Sequence, residues 1–300
     1  MTSLKLGTRG SPLALVQANL VKDALAAAQG VECEIVVIRT TGDRVQDRAL
    51  ADIGGKALWT KELDRALLAG EIDLAVHSMK DVETIRPAEI IIAAMLERAD
   101  VRDRLVGADS LAAIRQGGVV GTSSPRRSAQ VRRARPDLSV VVFRGNVDTR
   151  LAKLAAGEAD ATLLAAAGLD RLGRDDIGTP VAITEMLPAP AQGAVGIECR
   201  AADSATLGLL AAIDHADTSR AVRCERALLA ALEATCHSPV AALATIDGAM
   251  ITLRAELFSE DGAEHIAADA SGPDGDALAR DLAAALLDRA PPAVRNGFGG

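Results

Sequence analysis

Aromatic side chains are nearly missing from this chain: one Trp, three Phe and no Tyr among 300 residues. Stacking platforms for nucleic-acid bases are therefore lacking. The net charge of −8 argues further against a nucleic-acid or anionic-membrane surface. The four cysteines, Cys33, Cys199, Cys224 and Cys236, are widely spaced and form no CxxC pair. Neither a zinc site nor a disulfide framework is indicated, and the four histidines show no ligand spacing. The N-terminus has no signal-peptide pattern, and no apolar run is long enough to span a bilayer. A reducing cytoplasm is the expected location. Lysine is scarce too: of 33 basic residues six are Lys and 27 are Arg. Arginine suits bidentate contact with carboxylate or phosphate, so its placement carries more information than net charge does.

What is present reads as a globular chain with 49% apolar and 25% charged residues, long enough for two or three cores. Leu4 to Thr8 is a strand, and Ser11-Pro12 opens a helix to about Ala28, with Ser at the cap and Pro at the first turn. Strands at Glu34 to Arg39 and Ile72 to Val76 flank a Gly- and Asp-bearing loop (Thr41 to Lys56) and a helix from Thr60 to Ala69. The order then recurs. Val119 to Thr122 is a strand, Ser124-Pro125 opens a helix to Ala134, Ser139 to Phe143 is a strand, Val147 to Ala156 a helix and Ala161 to Ala165 a strand. Two βαβαβ halves with parallel sheets are expected. Charged, turn-rich Arg98 to Asp109 reads as the link between them, and Leu187 to Ala194 as the return crossing. From Ser219 the pattern becomes α+β: a helix to Glu233, a loop at Cys236, three strands (Val240 to Ile246, Met250 to Phe258, His265 to Ala270) and a helix from Ala277 to Arg289. The Pro291-Pro292 segment and Gly-rich end read as a mobile tail. The expected domains are residues 1–98 with 193–216, residues 99–192, and residues 217–300.

Within this frame the stretch His77-Ser78-Met79-Lys80-Asp81-Val82 follows a buried strand and opens into a polar loop, where α/β sheets place ligands. Taken alone it reads first as a loop whose Asp81 caps the next turn. As a site, Asp81 beside Lys80 would be a carboxylate able to face a developing cation. Arg9 precedes the first Ser-Pro helix, and Arg126 and Arg127 lie in the first turn of its repeat. Cations there oppose the helix dipole by roughly 0.3–1 kcal/mol each, so an anion is expected to bind. Arg144, Arg150 and Arg171 occupy equivalent strand-end and helix-start places. Cys236, in a loop beside His237 and Pro239, is the candidate reactive thiol. Trp59 reads as a packing residue, with a lid as the alternative.

These residues carry a resemblance. Gly7-Thr8-Arg9-Gly10-Ser11-Pro12-Leu13-Ala14-Leu15, Thr60-Lys61-Glu62-Leu63, His77 to Val82, Gly121-Thr122-Ser123-Ser124-Pro125-Arg126-Arg127, Arg144-Gly145-Asn146-Val147 and Gln192 to Glu198 stand in the order found in the porphobilinogen deaminase (hydroxymethylbilane synthase) family. The resemblance implies an α/β fold of two periplasmic-binding-protein-like lobes with a cleft between them, plus a small α+β third domain. It implies a transferase that joins four porphobilinogen molecules head to tail with loss of ammonia, giving the linear tetrapyrrole hydroxymethylbilane. It also implies a dipyrromethane cofactor held by a thioether to Cys236, with Asp81 catalytic. Ser78, Lys80, Ser124, Arg126, Arg127, Arg144 and Gly145 would bind the cofactor, and Arg9, Ser11, Arg150, Arg171 and Gln192 the substrate. No metal, nucleic acid or membrane partner is implied, and a monomer is expected. The chain departs from the family pattern at Ala234-Thr235-Cys236-His237, where Gly-Gly-Cys-Gln is usual, at Glu83, where Pro is usual, and at Trp59, where Phe is common. From the residues alone, a non-catalytic two-lobed binder of a small polycarboxylate fits the arginines equally well.

Overall fold

The computed structural model describes residues 3–39, 60–235 and 237–298. The expectations for Thr41 to Lys56, Trp59 and Cys236 itself fall outside them. The chain divides into two compact units, one of Met1–Ala99 with Gly193–Ser219 and one of Asp100–Gln192 with Arg220–Gly300.

In the first unit, strand β1 (Ser3–Arg9) leads into helix α1 (Pro12–Gln29). The Ser11 hydroxyl accepts from the Ala14 amide at 3.3 Å, and Gly30 ends the helix in the left-handed conformation. Then come β2 (Glu32–Ile38), α2 (Lys61–Leu68), β3 (Leu74–Ser78) and β4 (Ile90–Met95). The sheet has the order β2-β1-β3-β10-β4, where β10 (Val195–Arg200) arrives after the return crossing. Strands β1, β2 and β3 are parallel, as expected, but β10 runs antiparallel to both β3 and β4. The sheet is therefore mixed. One face packs Val21 and Leu25 of α1 and Leu210 of α6 (Ser204–Ala211); the other packs Leu63, Ala66 and Leu67 of α2.

The second unit repeats the plan. Strand β5 (Asp103–Val106) is followed by β6 (Val119–Gly121), α3 (Pro125–Ala134), β7 (Ser139–Val141), α4 (Val147–Ala155), β8 (Ala161–Ala165), α5 (Ala166–Arg171) and β9 (Thr179–Pro180). The sheet order β7-β6-β8-β5-β9 matches the first sheet place for place, and its fourth strand, β5, is again antiparallel to the third, β8. The two units divide at Ala99 and Asp100, within the link expected at Arg98 to Asp109, but residues 103–106 are an interior strand rather than linker. Its charges are buried, and pairing within the fold offsets the cost of desolvation, Arg104 donating to Asp170 at 2.8 Å and to the Asp175 carbonyl.

Helix α7 (Ala216–Ala231) carries the chain onward to an antiparallel sheet of β11 (Val240–Asp247), β12 (Met250–Phe258) and β13 (His265–Gly272), covered by α8 (Gly275–Arg289). Leu228, Leu253, Leu257, Leu282 and Leu286 lie in its core. The expected mobile tail is corrected as well. A short helix, α9 (Pro292–Arg295), follows α8, and Val294 and Phe298 are 0% and 7% exposed in the same core. Two apolar anchors outweigh the freedom suggested by the Pro and Gly content. Within this unit the α+β part packs on α3, with Ala129, Leu187, Ala241, Leu243 and Phe258 in one cluster.

Candidate active site

The carboxyl ends of β1 and β3 point the same way, because the strands are parallel neighbours. Residues following them converge, as α/β sheets generally arrange. A pocket opens there, lined by Arg9, Ser11, Gln17, His77, Ser78 and Asp81 among others. Asp81 ends the single turn Met79–Asp81 and is exposed, as is Lys80. The turn is held from below. The Met79 amide donates to the Ala194 carbonyl at 3.1 Å. The buried Met79 side chain fills the space above Gly196, where an added Cβ would come within 2.0 Å of its sulfur. Gln17, buried on α1, donates to the Ser78 hydroxyl at 2.8 Å. Ser11 serves the α1 cap described above.

In the second unit the same topological edge carries Ser124, Arg126 and Arg127 after β6, Arg144 and Gly145 after β7, and Arg171 after β8. The Ser124 hydroxyl caps α3, accepting from the Arg127 amide at 3.4 Å. Arg126 and Arg127 are 3% and 4% exposed. Both guanidinium groups meet Asp103, Arg126 Nη2 at 2.9 Å and Arg127 Nη2 at 2.7 Å. Gln192 Nε2 donates to the same carboxylate at 2.9 Å. Burial pushes the Asp103 carboxyl up, but the two arginine charges and the hydrogen bonds outweigh it and hold it well below the usual range. The anion demanded by cations at a helix start is thus supplied, at least in part, by the chain itself. Asp103 was missed from sequence because it sits in the stretch read as linker. Arg150 donates from Nε to the Gly145 carbonyl at 3.0 Å, and burial lowers Arg171 from its ordinary value.

Three buried N–H groups here have no hydrogen-bond partner among the described residues: Arg126 Nε, Arg127 Nε and Arg144 Nη1. Such donors are costly unless something accepts from them. The described cysteines are the opposite of reactive: Cys33, Cys199 and Cys224 are buried. Burial pushes their thiols up, to about 11 for Cys199 and about 12 for Cys224. The flanks of Cys236 are ordered, since Ser238 Oγ accepts from the Thr235 amide and donates to the Gly297 carbonyl at 2.7 Å. His237 is exposed. Of the other histidines, His77 Nε2 lies 3.1 Å from Glu198, His215 accepts from the Thr218 amide, and His265 stacks on Phe258. Among the described residues, no group of three or more His, Cys, Asp or Glu could hold a metal ion, and no helix is long and apolar enough to cross a membrane.

Residues 4–208 match the family model "Porphobilinogen deaminase, dipyromethane cofactor binding domain", and residues 219–288 match "Porphobilinogen deaminase, C-terminal domain". This chain belongs to the porphobilinogen deaminase family. A porphobilinogen deaminase of Sphingopyxis alaskensis is 60% identical over 98% of this chain and 96% of that protein. One of Paracoccus denitrificans is 52% identical over 96% and 95%. Among solved structures, the periplasmic VFT2 domain of Bordetella pertussis BvgS covers 70% of this chain and 86% of its own, at a TM-score of 0.40 and 16% identity; the likeness is too slight to add anything. The porphobilinogen deaminase domain named for its dipyrromethane cofactor spans both sheets. The orphaned guanidinium N–H groups fit a cofactor of that chemistry, because its carboxylates would accept from them.

Proposed function

We propose that this chain condenses four porphobilinogen molecules, with loss of one ammonia per unit, that one water then releases the linear tetrapyrrole as hydroxymethylbilane, and that Asp81 is the catalytic carboxylate. The observation that carries the assignment of Asp81 is its position: an acid on a braced turn at the end of β3, lining a pocket with Arg9, Ser11 and Ser78. When the substrate's aminomethyl C–N bond breaks, ammonia leaves and positive charge develops on the methylene carbon and its ring. A fixed carboxylate stabilises that charge in place, a contribution of about 2.7–4 kcal/mol for one well-aimed group. The methylene carbon then bonds to the free α-carbon of the preceding ring, and the proton lost from that carbon can pass to Asp81. Arg9 and Ser11 would hold substrate carboxylates in the pocket, with Arg150, Arg171 and Gln192 serving further units.

Cys236 would hold the dipyrromethane through a thioether, and the buried state of the other three cysteines supports that choice. Bound there, the group supplies the pyrrole end on which the chain is built. Ser78, Lys80, Ser124, Arg126, Arg127, Arg144 and Gly145 would orient it, the orphaned N–H groups being the supporting feature. Arg126 and Arg127 would then be donors already fixed in place by Asp103. Separate cores for the two sheets and for the α+β part support three domains, and a cytoplasmic monomer is the proposed state.

The test is turnover of porphobilinogen by purified protein, combined with intact-mass analysis. A mass increment of two linked pyrrole units on the Cys236 peptide is expected. Asp81→Asn should fold and lose about 100- to 1,000-fold in single-turnover addition, with Asp81→Glu retaining more. Near-normal addition by Asp81→Asn would move the search to another acid.

A further inference from the structure

Behind the Asp81 turn lies a buried charge cluster that the reaction described above does not use. Glu198, on β10, is fully buried. Its Oε2 lies 3.1 Å from His77 Nε2, and its Oε1 accepts from Arg86 Nε at 2.7 Å. Arg86 Nη2 also donates to Glu198 Oε2 at 2.9 Å and to Asp64 on α2. Its Nη1 donates to Glu83 at 3.0 Å and to the Thr60 hydroxyl at 3.2 Å, and Thr60 in turn donates to Glu83 at 2.7 Å. Arg86 donates to all three of these carboxylates, of which Glu198 is buried and Asp64 and Glu83 are half-buried, so it lets them share one site. Glu83, which departs from the family pattern, gains a role here as an acceptor for both Arg86 and Thr60.

The geometry has a simple consequence. His77 and Arg86 are the two ends of the segment that has Asp81 near its middle, and one carboxylate grips both ends. We propose that Glu198 and Arg86 form a clamp that positions the Asp81 carboxylate, making them positioning residues for the condensation. The proposal rests on the reading of Asp81 as the catalytic group. A guanidinium fork is needed because Glu198, Asp64 and Glu83 approach from different directions, which a point-charge ammonium cannot satisfy together. Loosening the clamp lets the turn drift, and a misplacement on the order of 1 Å costs about 100-fold in favourable cases.

The experiment compares Arg86→Lys, Asp81→Asn, the double variant, and Leu67→Ala, a truncation in the apolar packing of α2, all as cofactor-loaded full-length protein. Arg86→Lys should lose about 10- to 100-fold in kcat with KM little changed. Leu67→Ala, though at least as much lowered in Tm, should keep kcat. In the Asp81→Asn background the Arg86→Lys loss should vanish, because the clamp then has no carboxylate to place. Unchanged kcat in Arg86→Lys would overturn the clamp. So would an equal kcat loss in Leu67→Ala, or an undiminished further loss in the double variant. Normal turnover by Asp81→Asn alone would sink the reading of Asp81 and the clamp with it, a result distinct from all of these. If Arg86→Lys fails to fold, Glu83→Gln, which leaves the Arg86–Glu198 contact intact, is read in the same way with a smaller expected loss.

Discussion

The two five-stranded sheets share one strand order and one helix-start signal, yet they treat charge in opposite ways. In each, a buried acid comes from the fourth, antiparallel strand, β10 in one and β5 in the other. The acids differ in depth. Asp103 lies opposite Ala165, at the last residue of β8, whereas Glu198 lies opposite Ala75, three residues in from the end of β3. At the edge, Asp103 meets both helix-start arginines directly, and its one negative charge offsets one of their two positive charges. Deeper down, Glu198 cannot reach the edge, and grips the segment that carries an acid there. One scaffold thus yields a braced cationic edge and a braced anionic one, according to where along a strand a carboxylate is set.

The largest effect should come from removing the edge acid. Asp103→Ala leaves two guanidinium groups buried without their counter-charge, and breaking such a pair costs about 3–5 kcal/mol. Urea unfolding should show that loss. If stability is unchanged, the arginines are held by something else and the contrast with Glu198 fails. Truncating Arg126 or Arg127 to Leu should also destabilise the protein, because buried Asp103 then keeps one guanidinium partner in place of two.

Next comes acid sensitivity. Burial pushes the Glu198 carboxyl up, but His77 and Arg86 bring it down to about 2. A carboxyl lowered in the folded state contributes stability that is fully present above its unfolded value of about 4.3 and is lost as pH falls toward the folded value. Glu198→Gln should therefore flatten the dependence of the urea midpoint on pH below about 5. An unaltered slope would assign the acid response to other carboxyls, Asp103 first among them.

The smallest effects belong to the repeated caps. Ser11→Ala and Ser124→Ala should each cost about 1 kcal/mol, measured by thermal unfolding. A cost confined to one of them would show that the repeat is not energetically symmetrical.

Much of this was legible in sequence where the signal is local. The Ser-Pro starts at Ser11 and Ser124 gave helix boundaries because cap and Pro act within one turn, and the run from His77 to Asp81 is contiguous. Strand β5 was not legible: Asp103 and Arg104 look like linker residues until their partners Arg127 and Asp170 are seen, 24 and 66 positions away. The Arg86–Glu198 pair spans 112 positions, and Glu83 looked only like a departure from a pattern. The tail misled for the reverse reason. Pro and Gly speak about backbone freedom, whereas Val294 and Phe298 decide the outcome by burial.

Strand β10 also sets the order in which the chain can become finished during synthesis. The sheet begun by the first residues keeps an open place between β3 and β4 until Val195–Arg200 has been made. Every strand of the other sheet precedes that point in the chain. At ribosomal speeds of about 5–20 residues per second, the gap between Met95 and Val195 lasts roughly 5–20 s. Of the two five-stranded sheets, the one begun first therefore closes last, and Asp81 acquires its underlying carboxylate only with that closure. A nascent chain stalled before Val195 would display β3 and β4 as unpaired edges, which makes this interval its period of greatest exposure to misassembly.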